Sequence, residues 1–292
     1  MDYGPILSPD GVQYRWNSHS ISAAERCLRY YNWTVLEGWR SRNESAHLTF
    51  GSHYAAGLQH FFLLRAAGAD REQAIHEVVK ATLIATAGWE SDHVKNRFTL
   101  IRTLVWYFDE FNDDLPVLHS PEGTPAVEHR FTLDLDDGNM LVGTLDRVVL
   151  YAGAEWIMDQ KTTGSSLGPH YFDQYKPHMQ MSAYTFAGRA VFGQPIQGVI
   201  IDAAEIKVGF SRFARGLTYR TDSELQEWYE GAMWWIEAAQ RATREHYFPP
   251  NTSSCTAYGG CPFRRVCSSS PESRPNFLRA DFVQSAPAQT DA

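Results

Sequence analysis

Cysteine is scarce in this sequence: four in 292 residues, too few to staple a secreted scaffold of this size. Long apolar runs are missing as well. None approaches the roughly 20 residues that a membrane span needs. The opening MDYGPILSPDGVQ lacks the basic-then-apolar layout of a signal peptide. A cytoplasmic setting with no membrane partner is expected. Positive charge is also in deficit. Acidic side chains number 34 against 26 basic ones, a formal net charge of −8, which argues against coating nucleic acid by bulk charge alone. It leaves room for an enzyme that grips a strand locally. There is no Gly-x-x-x-x-Gly-Lys phosphate loop, no internal repeat, no helicase motif and no module dedicated to reading base edges.

What is present is ordinary globular composition, 43% hydrophobic and 21% charged, enough for a substantial core. The first half reads as helical. Ser18 to Ser22 offers N-cap chemistry, and helices are expected over about 48–67, 71–87 and 92–112. Phe98, Ile101, Leu104, Val105 and Phe108 mark the inner face of the last. From Pro125 the period changes to two. VEHRFTLDL, the turn Asp136-Asp137-Gly138, NMLVGTLDRVVLY, the turn Ala152-Gly153-Ala154 and EWIMDQKT predict a three-strand antiparallel meander. A helix over 171–192 has Met179, Ala183, Phe186 and Ala190 on one side. A strand over 198–206 follows, with 209–220 pairing beside it. A helix from Thr221 to about 246 then leads to the cysteines.

The expected class is therefore α/β, with a central mixed sheet and antiparallel meander flanked by helices. One domain over 1–270 divides into a helical part (18–115), a core (124–220) and a C-terminal helix with the cysteine cluster (221–270). The Ser/Pro-rich stretch 271–292 is expected to be a loosely held tail.

Chemistry concentrates in Gly143-Thr144-Leu145-Asp146-Arg147 and Ile157-Met158-Asp159-Gln160-Lys161-Thr162. Asp159 and Lys161 are two apart on one strand and share a face. The hairpin can bring Asp146 beside Asp159. Two converging carboxylates suit Mg²⁺ or Mn²⁺, and an adjacent lysine can serve water and phosphate charge. An Asp-x-Lys triplet alone is common and would read as solvated charge. Here its flanks Trp156, Ile157 and Met158 are apolar, where charge needs a reason. Gln180 and Tyr184 follow, four apart and so on one helix face.

The four cysteines are Cys27, standing alone, and Cys255, Cys261 and Cys267, spaced Cys-x5-Cys-x5-Cys in CTAYGGCPFRRVC. Four thiolates suit one tetrahedral zinc or one iron–sulfur cluster, and structural zinc favours shorter spacings. Either would tie residue 27 to 255–267.

Gly-x-x-Asp-Arg, Asp-x-Lys-Thr and Gln-x-x-x-Tyr together resemble the PD-(D/E)XK nuclease superfamily in its RecB-like branch, which includes recombination and CRISPR-associated exonucleases. The resemblance implies a restriction-endonuclease-like core. In it Asp146, Asp159 and the Gln160 carbonyl would hold Mg²⁺ or Mn²⁺, Lys161 would serve the attacking water, and Gln180 and Tyr184 would face the site. It also implies a 4Fe–4S cluster on Cys27, Cys255, Cys261 and Cys267, in preference to zinc. DNA with free ends is the implied substrate, in recombination and repair, with a helicase or recombination partner by analogy; a viral version would act in host cytoplasm.

One departure stands out. The early-helix segment of such nucleases resembles Phe-Gly-Ser-x-x-His, whereas this chain reads Phe50-Gly51-Ser52-His53-Tyr54-Ala55. His53 lies two positions earlier, about 200° around a helix, and His60 is also off the Ala55 face. Gln59 shares that face. Glu128 is either a compensating carboxylate or an edge-strand charge. Arg26, Arg29, Arg264 and Arg265 flank the cysteines and could line a strand path. A binding or assembly subunit with weakened chemistry, or a zinc-bound interaction module, are the other readings left open.

Overall fold

The computed structural model describes residues 4–42, 46–89 and 91–285. After the two-residue strand β1 (Arg15–Trp16), Asn17 opens the first helix, α1 (Ser18–Arg26). The Asn17 side chain accepts the Ser20 N–H at 2.8 Å and the Ser20 hydroxyl accepts the Asn17 N–H at 3.1 Å. That capping box starts the helix at Ser18, with Asn17 as the cap, one residue ahead of the Ser18 to Ser22 stretch expected to supply it. The chain turns extended at Cys27, resumes as α2 (Leu28–Tyr31) and a π-helical turn over Asn32–Leu36, and reaches β2 (Trp39–Ser41).

Three helices follow: α3 (Ala46–Ala66), α4 (Arg71–Ala85) and α5 (Arg97–Glu110). α5 begins five residues later than expected because the Asn96 side chain caps it, accepting the Thr99 N–H at 2.9 Å. Its inner face is also rotated from the expected one. Phe98 is 84% exposed, while Leu100, Leu104, Tyr107 and Phe108 are buried. The polar Thr103, buried and bonded to the Thr99 carbonyl, made that face look hydrophilic.

The meander is β3 (Val127–Asp134), β4 (Met140–Tyr151) and β5 (Ala154–Thr163). Ala152 and Gly153 both take positive φ in the second turn, the geometry that follows the twist of a tight hairpin. The helix expected over 171–192 is two: α6 (Pro169–Asp173) and α7 (Met179–Phe192). Pro177 lies between them, and it lacks the N–H that a continuous helix would need. β6 (Gly198–Ile206) and β7 (Ser211–Tyr219) complete the sheet. Then come α8 (Asp222–Arg244), α9 (Arg264–Cys267), α10 (Arg274–Asp281) and β8 (Phe282–Gln284).

The sheet is mixed: β4–β5 and β6–β7 are antiparallel, and β5–β6 is parallel. A parallel neighbour needs a crossover, and α7 provides it.

The chain forms two compact units. One comprises 44–130 and 144–221 and holds most of β4 with β5, β6 and β7. Its helices α3, α4 and α5 bury Phe50, Leu58, Leu100 and Phe108 with Ala204 and Ile206 of β6. Alternation along β6 therefore turns 202, 204 and 206 toward these helices, and 201, 203 and 205 toward the other face.

The second unit comprises 1–43, 131–143 and 222–292. Within it β1 runs parallel to the Met140–Leu141 start of β4, and β2 pairs antiparallel with β8. That last pairing corrects the expectation of a loose tail. Leu278 and Phe282 are buried with Trp33, Phe263 and Val266, and Phe277 packs against them, so a few apolar residues of a largely polar stretch anchor it. Residues 286–292 of that stretch lie outside the described residues.

Candidate active site

The β4–β5 ladder pairs Arg147 with Met158, so Asp146 and Asp159 are the next residues along their strands. The strands remain joined there by the Gln160 N–H, which donates to Asp146 Oδ2 at 2.8 Å. Asp159 is 1% exposed, and its Oδ2 lies 2.6 Å from Lys161 Nζ. Lys161 Nζ also donates to Gln180 Oε1 at 3.1 Å, and Gln180 Nε2 donates to the Tyr184 hydroxyl at 3.1 Å. The five expected side chains are thus brought together on the α7 face of the sheet.

Their electrostatics follow from burial. Asp146 is pushed up to about 7, first by burial and then by the Asp159 carboxylate; Lys161 and the Gln160 N–H pull the other way. Burial works against charge on Lys161, but Asp159 and Asp146 outweigh it and hold the ammonium above its ordinary range. Burial, Asp159 and Asp146 raise the Tyr184 phenol well above its usual value. Lys161 is therefore a charged hydrogen-bond donor at neutral pH, and Tyr184 a neutral one.

Glu128 belongs to the same neighbourhood. Burial raises its carboxyl, and its charge in turn adds to the shift at Asp146. It sits at φ 48°, a left-handed conformation that a non-glycine residue adopts only at a cost. The Gln160 side-chain oxygen is buried without a hydrogen-bond partner.

His53 packs its ring against Trp89 at 5.5 Å, so it is engaged away from the Ala55 position. His60, Gln59 and Ala55 are half-buried on α3. A Cβ on Gly51, one turn before Ala55, would lie 3.5 Å from Thr162 Oγ1.

Two features escaped the sequence reading. Arg147, next to Asp146 but pointing to the opposite sheet face, is fully buried. It pairs with Asp114 Oδ2 at 3.0 Å and Asp202 Oδ2 at 3.3 Å, and donates to the Tyr107 hydroxyl at 2.9 Å. Arg215 pairs with the same two carboxylates at 2.7 and 3.2 Å. Two cations and two anions thus balance behind the acidic pair, with Arg147 3.6 Å over the Phe62 ring. The second feature is aromatic. Tyr171, Tyr175 and His178 all feel the Asp159 charge, and Tyr171 and His178 feel Lys161 as well. His178 Nδ1 is buried without a hydrogen-bond partner.

The four cysteines, in the other unit, all line one pocket with Tyr30, Trp33 and Phe263. All four are free thiols. The Asn251 N–H donates to Cys27 Sγ at 3.3 Å and Arg29 Nη1 to Cys267 Sγ at 3.7 Å. Burial raises the Cys261 thiol; Arg26 opposes that, and the Cys255 and Cys267 thiols reinforce it.

Among the described residues, no group of three or more His, Cys, Asp or Glu side chains could hold a metal ion as it stands. No helix among them is long and apolar enough to cross a membrane. The donor chemistry nevertheless suits the groups expected: two buried carboxylates side by side in one unit, and in the other four sulfur atoms lining one pocket, with N–H groups aimed at Cys27 and Cys267.

The sequence profile of the PD-(D/E)XK nuclease superfamily matches residues 15–268. The chain belongs to that superfamily, and its mixed sheet flanked by helices is the corresponding restriction-endonuclease-like core. A search of curated proteins gave no match. Among solved structures, one named "Putative exonuclease" from Eubacterium rectale is similar at TM-score 0.51 and 14% identity. The match covers 83% of this chain and 86% of that one. A second, SSO0001, matches at TM-score 0.29 and 11% identity over 76% of each chain, too distant to carry weight.

Proposed function

We propose that the protein is a metal-dependent DNA nuclease of the RecB-like branch, hydrolysing phosphodiester bonds at DNA ends and carrying a structural 4Fe–4S cluster. The observation that carries it is the buried Asp146–Asp159 pair beside Lys161: burial first, and then the Asp159 charge, lift Asp146 to about 7 against the pull of Lys161. Such a pair is costly to bury unless a cation completes it. Asp146, Asp159 and the Gln160 carbonyl would hold Mg²⁺ or Mn²⁺, which when bound supplies Lewis-acid polarisation of a phosphate oxygen and a more acidic water.

The chain's own groups do the rest. Lys161, kept as an ammonium by Asp159, donates to the attacking water or to a phosphate oxygen and stabilises charge growing there. Gln180 holds Lys161 in line from the facing helix, and Tyr184 holds Gln180. The Arg147 network on the reverse of β4 resists rotation of the strand that presents Asp146. Glu128 is close enough to shift Asp146 and is proposed as a further carboxylate of the site.

End-directed cleavage is supported by the absence of any base-reading module in the sequence and by the likeness to a structure named as an exonuclease. The cluster reading is supported by the convergence of all four cysteines on one pocket. A second reading is favoured by Ala55: a DNA-binding or assembly subunit with weakened chemistry. Incubation of anaerobically purified protein with end-labelled DNA and Mn²⁺ separates them. Release of short labelled products supports the nuclease, and binding without cleavage supports the subunit.

A further inference from the structure

We propose that a cleft of ≈ 580 Å³ beside the cysteine pocket binds single-stranded DNA. The cleft lies wholly within one unit and contains none of the acidic-pair residues. Arg29, Arg274 and Arg279 line it, together with Trp39, Tyr247 and Phe248. Its volume is in the range of pockets that enclose a small organic ligand, such as one nucleotide.

The charge balance of the cleft is the first argument. Among the described residues its one lining carboxylate is Glu37, already occupied by neutral donors: Asn32 Nδ2 at 2.6 Å and Trp39 Nε1 at 2.7 Å. The three arginines are met by weaker partners. Arg29 donates to the Cys267 sulfur at 3.7 Å, Arg274 to the Cys267 carbonyl at 3.5 Å, and Arg279 to Asn276 Oδ1 at 2.9 Å. Arg274 Nε is buried with no partner at all. Glu272 feels Arg274 but does not line the cleft. In a chain of net charge −8, three guanidinium groups facing one cleft with no ion pair among the described residues call for an anionic ligand.

The aromatic lining is the second argument. Tyr247 is 65% exposed at the lip, and Trp39 stands half-exposed across β2. Rings and arginines lining one cleft suit a ligand that carries both planar and anionic groups. A single strand has that chemistry, with bases for the rings and phosphates for the guanidiniums. A duplex hides its base faces and would leave the rings bare. That the strand is DNA rests on the nuclease reading; the cleft itself does not.

Arg29 gives the cleft a link to the cysteines, since one guanidinium faces the cleft and touches Cys267 Sγ. A cluster there would set where Arg29 stands, so loss of the cluster should weaken the strand site too.

The test uses the intact, anaerobically purified protein in EDTA, so that no strand is cut, and a fluorescein-labelled ten-base oligo-dT. Tyr247→Ala should weaken binding roughly tenfold, the loss of one stacked base. Arg279→Gln should weaken it and flatten its salt dependence by roughly 0.7 in the log–log slope. Both residues are exposed, and circular dichroism with the visible spectrum checks that each variant is folded and loaded. A 5-iodouracil strand should cross-link to the peptides holding Tyr247 or Trp39, and unlabelled duplex should compete poorly. Wild-type affinity in both variants, with cross-links elsewhere, would overturn the proposal, as would equal competition by duplex. If the strand binds this cleft but is never cut with metal, the nuclease reading fails and the cleft stands. If DNA is cut while both variants bind normally, the reverse holds.

Discussion

Lys161 Nζ lies 2.6 Å from Asp159 Oδ2, two residues back on the same strand and the same face of the sheet. The contact holds the lysine above its ordinary range in a site where burial pulls the other way. Lys161→Ala should therefore lower kcat by at least about 100-fold, as for other removed transition-state donors, with DNA affinity unchanged. Gln180→Ala, which frees the lysine without deleting it, should cost about tenfold. Steady-state cleavage of labelled DNA measures both.

Asp146 pulls stability and activity in opposite directions. Its carboxyl is buried against Asp159, which lifts it to about 7. Asp146→Asn removes that repulsion while leaving an oxygen to accept the Gln160 N–H. Without divalent cation at pH 8, the variant should be about 1–2 kcal/mol more stable than the wild type, because a like-charge buried pair is relieved. It should cleave nothing. Thermal unfolding with and without Mg²⁺ reads the first effect, and Mg²⁺ should erase the difference by stabilising only the wild type.

The network behind β4 has a pH signature. Burial would raise the Asp114 carboxyl, but Arg147 and Arg215 more than reverse this and lower it below 3.8. A depressed carboxylate contributes stability that is present above its unfolded value and is lost as pH falls through that value toward the folded one. Unfolding midpoints measured from pH 6 to pH 3 should fall, and Asp114→Asn should remove part of that slope. It should also lose about 3 kcal/mol at pH 7, because Arg147 is left buried without one partner.

Gly216 on β7 seats α6. A Cβ there would fall 2.1 Å from Phe172 Cδ1 and 2.5 Å from its Cγ, so the ring must shift. Gly216→Ala should lift Phe172 and with it Tyr171 and Tyr175, two rings that feel the Asp159 charge. The expected result is about 1–3 kcal/mol of lost stability, typical of overpacking. KM should rise with it. Denaturant unfolding and cleavage kinetics test the two parts.

Cys27 is the cysteine that brings a distant part of the chain to the other three. Cys27→Ser should abolish visible absorption in anaerobically purified protein and reduce bound iron from about four per chain to near none. It should also lower the unfolding temperature, since the link closing residues 27 to 255 is lost. A colourless wild type with stoichiometric zinc would assign the thiols to zinc instead.

Much of the candidate site was legible because its residues are close in sequence. Asp146, Asp159 and Lys161 fall on one hairpin, where a period of two decides who shares a face, and Gln180 and Tyr184 obey the helical repeat. The strand 198–206 was legible to its ends from its apolar run. What could not be read joins distant segments. Tyr107, Asp114, Arg147, Asp202 and Arg215 are separated by up to 108 residues in their bonded pairs, and no local period links them. Arg147 looked like one more charge beside a motif, and only burial shows its task. The 274–284 segment misled through composition: a few of its residues, Phe277, Leu278 and Phe282, decide its packing, and its polar majority hides them. Phe98 misled in the opposite sense, because its spacing fits a buried stripe that Thr103 and Tyr107 in fact complete.

The most direct test is a matched cleavage assay. Wild type and Lys161→Ala, both shown to be folded and carrying the same visible chromophore, are incubated with end-labelled single- and double-stranded DNA in Mg²⁺, in Mn²⁺ and in EDTA. Metal-dependent release of short products by the wild type, absent in EDTA and lost in Lys161→Ala, is the predicted result. DNA bound but left intact by the wild type in both metals, or cut equally well by Lys161→Ala, would contradict it.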